Sequence, residues 1–229
     1  LWYIISLCVN SSLFPNPGVV MPDLCYILSL QDTWAAIGGT LLRLVISFVI
    51  SFALALIFGY FGGRFHSFYK IFNPLIVTLR TLPTAAIIYV LIVLTKPTYA
   101  LIIIVTLLIF PILYEAVVSG IKNTDKRYID ELKVNGGYTF RSSFKIVYPL
   151  AWPSIALGIV QSLGLGMKVS IMSEVLCGTD TIPGLGRMLY HGYYDANLTR
   201  VFSVAFIAII LIGITDISVY YMKKKKVNK

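Results

Sequence analysis

Four ionisable residues, Arg80, Lys168, Glu174 and Asp216, stand inside runs of apolar residues. At bilayer depth a charge is costly, so each needs a counter-charge, water, or a route to the surface. The chemistry open to them is narrow: a structural ion pair with another helix, or a charged contact for a solute or ion in transit. For Arg80 and Asp216 there is also snorkelling from a position near a helix end. Lys168 and Glu174 are six residues apart, which on a helix puts them on different faces, so each needs a partner elsewhere. Ser154, Gly158, Ser162, Gly166 and Ser170 recur at intervals of four and lead to Glu174. Such a row of small side chains lets helices approach closely. Two readings are open for it: packing against a neighbouring helix or a second copy, or the wall of a solute path. Gln161 is a further polar candidate on the same segment.

A second group of polar residues lies in the charged loop Lys122 to Lys145. Asp125 can cap a short helix with Ile129 and Leu132 on one side, and Gly136-Gly137 ends it, as glycine does where positive φ is needed. Thr139 can cap a second helix with Phe140, Phe144 and Val147 on one stripe, and Pro149 and Pro153 mark the return to apolar sequence. One face of the loop is apolar and the other is too charged to enter lipid. It either lies on headgroups through Lys126, Arg127, Arg141 and Lys145, or docks into a soluble partner.

The elements that position these groups follow from composition. The 229 residues are 58% hydrophobic and 13% charged, with a mean hydropathy of +0.83, which excludes an ordinary soluble domain. The formal charge of +9 is spread between apolar runs and ends in Lys223 to Lys226, a membrane-topology pattern and not a nucleic-acid surface. Cys8, Cys25 and Cys177 are odd in number and far apart, and His66 and His191 lack ligand-spaced neighbours, so neither a disulfide framework nor a metal site is expected. Leu1 is not an initiator methionine and opens inside an apolar run, so a short N-terminal piece is expected to be missing; a cleaved signal peptide is less favoured.

Runs of about 20 apolar residues are needed to span a bilayer. Candidates are Leu1 to Val9 (truncated), Leu41 to Phe61, Ile71 to Leu94, Tyr99 to Ser119, Ser154 to Leu176 and Val201 to Met222, the third broken by Pro83. Placing the C-terminal lysines in the cytoplasm also puts the Arg64–Lys70 and Lys122–Lys145 loops there, with Asn10–Thr33 and Gly178–Arg200 outside. In the outer loop, Tyr190, Tyr193 and Tyr194 read as an interfacial belt. The expectation is an all-α polytopic bundle of about six transmembrane helices. It forms one domain over residues 1–229, with a loop at about 122–149 and an outer loop at about 178–200.

Within the charged loop, Glu131-Leu132-Lys133, Gly137 and Val147-Tyr148-Pro149 resemble the E-A-A, G, I-x-L-P loop of binding-protein-dependent ABC importer permeases. Both alanines are replaced, and the glycine-to-proline spacing is one residue short. Other stretches resemble the family in the same order: Phe14-Pro15-Asn16-Pro17-Gly18-Val19-Val20, Thr40-Leu41-Leu42-Arg43, and Leu79-Arg80-Thr81-Leu82-Pro83. Gly164-Leu165-Gly166-Met167-Lys168-Val169 with Ser173-Glu174-Val175-Leu176 resembles the nitrate, taurine and aliphatic-sulfonate branch.

The resemblance implies a type I importer permease fold and a coupling loop contacting separate ATPase subunits through Asp130, Glu131, Leu132, Lys133, Gly136, Gly137, Tyr138, Thr139, Phe140, Phe144 and Pro149. It also implies a solute-binding protein docking outside, a second permease copy, and ATP with Mg bound only by the partner subunits. No G-x-x-x-x-G-K-S/T phosphate loop and no hydrolase motif occurs, so the chain is expected to be a transport subunit and not an enzyme. Gln161, Ser162, Gly166, Lys168, Ser170 and Glu174 are the candidate path residues. The branch implies a small anionic or polar cargo: nitrate, a sulfonate, taurine or a thiamine-precursor pyrimidine. The alternatives are a gradient-driven secondary transporter, with Lys168 and Glu174 as coupling groups, and a membrane scaffold without solute flux.

Overall fold

The computed structural model describes residues 2, 3, 6, 14–124, 143–178 and 182–227, and every regular element among them is helical. In chain order these are α1 (Pro17–Ser29), α2 (Gln31–Arg64), α3 (His66–Thr81), α4 (Thr84–Leu94) and α5 (Pro97–Lys122). A π-helical turn (Ser143–Val147) then leads into α6 (Tyr148–Cys177), α7 (Leu185–Tyr194) and α8 (Leu198–Val227).

Local chemistry sets several of the boundaries. Asn16 caps α1 by accepting the Gly18 N–H at 2.9 Å, with Pro17 at the first helical position, where its missing donor costs nothing. The expected break falls between α3 and α4, which are bent by 95° at Leu82-Pro83. Gly178 closes α6 in the left-handed conformation, φ 57°, which glycine adopts without steric penalty.

Four segments are long and apolar enough to cross a membrane: α2, α5, Lys145–Cys177 and Leu198–Thr215; the bent α3–α4 pair makes a fifth if counted as one span. The helices are longer than the apolar runs suggest. Helix α2 begins ten residues before Leu41, because a helix continues through polar residues once packing supports it. Pro153 falls in the first part of the span Lys145–Cys177. It lies inside α6, and Pro149 occupies the first turn. The expected Leu1–Val9 span falls largely outside the described residues.

Helices α2 and α5 run parallel and in register. Ser47 and Ser51, one turn apart, donate to the carbonyls of Ile102 (3.1 Å) and Thr106 (2.7 Å), themselves one turn apart. Further along, Gly59 lies against Val117 and Gly63 against Ile121, where an added Cβ would come within 2.6 Å and 2.7 Å of side-chain carbons. Two parallel spans require the chain between them to cross back, and α3 with α4 make that return. Helix α6 is antiparallel to both, with Gly120 facing Ala151, Gly158 facing Ala116, and Gly166 facing Leu44 and Ile109.

This arrangement gathers Arg64, Lys122 and Lys145 at one end of the bundle, the basic end. There the Lys122 ammonium sits 3.0 Å above the Tyr69 ring and ties α3 to α5. At the opposite end, Asp23 and Arg200 pair at 3.1 Å, joining α1 to α8.

Candidate functional site

Among the described residues, the most highly connected buried polar group is the Glu174 carboxylate, one turn before the end of α6. One oxygen accepts from Arg43 Nη2 at 2.5 Å and Nε at 3.1 Å. The other accepts from Thr40 Oγ1 and from the Gly186 N–H, both at 2.9 Å. Arg43 Nη2 also donates to the Pro183 carbonyl at 2.8 Å, and Thr40 Oγ1 accepts the Leu185 N–H at 3.0 Å. Glu174 and Arg43 are only 4% and 7% exposed, so the pair is desolvated. Such a pair is tolerable when the remaining lone pairs and protons are satisfied, as four donated bonds on one carboxylate achieve here.

The sequence permits this network at particular positions. Thr40 and Arg43 are three residues apart on α2 and share a face. Gly184 leaves the room, since a Cβ there would lie 2.5 Å from Glu174 Oε2 and 2.6 Å from Arg43 Nη2. Gly186 likewise passes directly against the Ile171 carbonyl and the Glu174 side chain. The carboxylate therefore sits at the N-terminus of α7, where backbone N–H groups and the helix dipole favour negative charge. Glu174 pins the short amphipathic α7 to α2 and α6.

Helix α6 has two distinct faces. Gly158, Ser162, Gly166, Ser170 and Glu174 are buried, and their glycines touch α5 and α2 of the same chain. The small-residue row packs helices within the chain. The other face carries Leu157, Gln161, Leu165, Lys168 and Met172, all exposed, at spacings of four, four, three and four. Lys168 makes no hydrogen bond or ion pair to any described residue. Beside the start of α2, α7 walls a cleft of about 530 Å³ whose lining includes Asp32, Arg187, His191, Asp195 and Arg200.

Residues 51–228 match the family described as the binding-protein-dependent transport system inner membrane component. The chain belongs to this family. It is similar to the putative aliphatic sulfonates transport permease protein SsuC of Bacillus subtilis (strain 168), 21% identical over 219 residues that cover 95% of this chain and 78% of that one. In fold it is similar to a chain of the MetNI methionine ABC transporter in inward-facing crystal forms. One form gives a TM-score of 0.73 at 17% identity, covering 86% of this chain and 96% of that one. A second gives 0.66 at 17% identity, covering 84% and 93%. The protein is thus a multi-pass inner-membrane permease component of an ABC importer, with the type I importer fold, in a family of transport subunits.

Of the permease's expected coupling-loop residues, Asp130, Glu131, Leu132, Lys133, Gly136, Gly137, Tyr138, Thr139 and Phe140 lie outside the described residues. Phe144 is in the π-helical turn and Pro149 in the first turn of α6. Val147 is buried with Tyr60, Val117, Ile121 and Tyr148, so from Ser143 onward the chain is already continuous with the span.

Arg80 does not stand alone. It pairs with Glu115 of α5 at 2.6 Å, with both side chains partly exposed. Sequence reasoning missed Glu115 and Arg43, although both lie in apolar surroundings, and the rule that singled out Arg80 and Glu174 finds them too.

Proposed function

We propose that the permease forms the solute path of an ATP-driven importer, paired with a second copy of itself and moved by two separate ATPase subunits that bind ATP and Mg. The ATPases engage the basic end, through the segment from Asp130 to Pro149 with Glu131 and Gly137 at its centre. The observation that carries this reading is the family match over residues 51–228, which includes that segment. Arg64, Lys122 and Lys145 at the same end favour a cytoplasmic position by the positive-inside rule, which also supports a cytoplasmic C-terminus. The α7 end then faces the solute-binding protein. Closure of the ATPase pair displaces the loop and rocks the helix bundle between outward and inward openings.

The cargo is a small polar or anionic solute of the sulfonate, nitrate, taurine or thiamine-precursor class. The similarity to an aliphatic sulfonates permease supports the sulfonate end of that range. The test is ATPase activity and uptake by the reconstituted complex with its binding protein across a panel of these solutes. A solute that stimulates hydrolysis names the cargo. Glu131→Ala and Gly137→Val should leave insertion intact and reduce uptake per ATP hydrolysed at least tenfold; full coupling in both variants would place the ATPase contact elsewhere. Uptake that survives ATP depletion and collapses with an ionophore would overturn the importer reading.

A further inference from the structure

The outward-turned surfaces of the spans differ in chemistry. On α2 the exposed positions through the middle of the span are Leu42, Val45, Ile46, Val49, Ile50, Leu54 and Ile57, and on α8 they include Ile209, Ile210 and Ile214. Those surfaces suit lipid. The exposed stripe of α6 instead holds Gln161 and Lys168 between Leu157, Leu165 and Met172. Lys168 lies nine residues before the end of α6, or about 14 Å along the axis at 1.5 Å per residue. A lysine at that depth without a partner is unfavourable against hydrocarbon and stable against water. Arg43, Glu174, Arg80 and Glu115, the other charged side chains described away from the ends of the spans, are paired, whereas Lys168 is a cation without a partner among the described residues.

We propose that Lys168 is the counter-charge on the wall of the solute path and makes the permease selective for small anions. Gln161, two turns nearer the basic end, supplies a neutral hydrogen-bonding contact on the same wall. This inference rests on the permease reading and adds the charge of the cargo and the residue that reads it. An ammonium on a flexible stem, flanked by leucine and methionine, attracts a sulfonate or nitrate without the rigid fork that would hold it. A path needs that combination of entry and release.

The test uses the complete permease–ATPase complex with its binding protein in proteoliposomes, with Cys8, Cys25 and Cys177 replaced by serine as the parent. The probes are labelled ethanesulfonate, nitrate and the neutral isostere ethanesulfonamide. Lys168→Cys is expected to lower anion uptake at least tenfold. Treatment with 2-aminoethyl methanethiosulfonate, which rebuilds an ammonium at that side chain, should restore it; the 2-sulfonatoethyl reagent should react and not restore it. Val49→Cys, on the lipid face, should be insensitive to both.

Anion uptake by Lys168→Cys equal to the parent, or a cysteine at 168 that neither reagent modifies, overturns the inference while leaving the permease reading intact. A parent that takes up ethanesulfonamide and neither anion refutes the anion class alone. A parent without ATP-driven uptake of these probes or of any other solute in the cargo panel fails at the underlying reading and takes the inference with it.

Discussion

The two faces of α6 put charged groups into opposite situations. On the buried face, Glu174 receives four hydrogen bonds from Arg43, Thr40 and the α7 backbone. On the exposed face, Lys168 receives nothing from any described residue. The same helix thus holds one charge whose partners are supplied by the chain and one to which no described residue supplies a partner. Charge at bilayer depth does not by itself mark a transport residue. The distinction lies in whether the fold has already satisfied it.

The largest effect expected from that contrast falls on the buried face. Glu174→Ala strands Arg43 and frees the α7 N-terminus, and breaking a buried pair from one side costs about 3–5 kcal/mol. Thermal unfolding of the purified permease should show a clearly lowered midpoint. The double variant Arg43→Met with Glu174→Met should recover part of the loss, because no uncompensated charge remains. An unchanged midpoint for Glu174→Ala would mean that the network holds nothing in place, and the contrast between the faces would collapse.

A middle-sized effect is expected where the small-residue row packs. A Cβ at Gly158 would run into the Ala116 Cβ, an atom that cannot rotate away, so α5 and α6 must separate. Gly158→Ala should destabilise by about 1–3 kcal/mol, the usual cost of overpacking. The readout is the same unfolding midpoint. A neutral result would show that the two helices are held apart by something other than contact along this row.

Sequence alone carried the parts of this structure that depend on covalent chemistry or on long periodicity. Pro83 announces the bend because its missing donor and its ring act wherever it stands, and the four-residue recurrence from Ser154 to Ser170 announces a packing face. Which helix that face meets was not legible, since α5 and α2 are chosen by tertiary geometry. The Arg43–Glu174 pair spans 131 residues, and no local signal joins its two ends. Thr40 and Arg43 were visible only as part of a motif, without a role. Helices α1 and α7 escaped because they are short. Helix α7 moreover contains Gly186 and Gly192, poor helix formers, and is held by a carboxylate from another element. Tertiary contacts decide that conformation.

The smallest effect on stability should come from Lys168→Gln, and its smallness is what gives it force. No described group loses a partner, no cavity opens, and an exposed substitution away from such features usually changes stability by no more than about 0.5 kcal/mol. The unfolding midpoint should therefore stay with the wild type while anion uptake falls. Glu174→Ala reverses the order, acting on stability first and on uptake through it. Should Lys168→Gln lower the midpoint as much as Gly158→Ala does, then Lys168 is held by a contact such as a second copy's carboxylate. The exposed face of α6 would then be a packed surface like the buried one, and the division between a charge that builds the bundle and a charge that meets the cargo would no longer describe this helix.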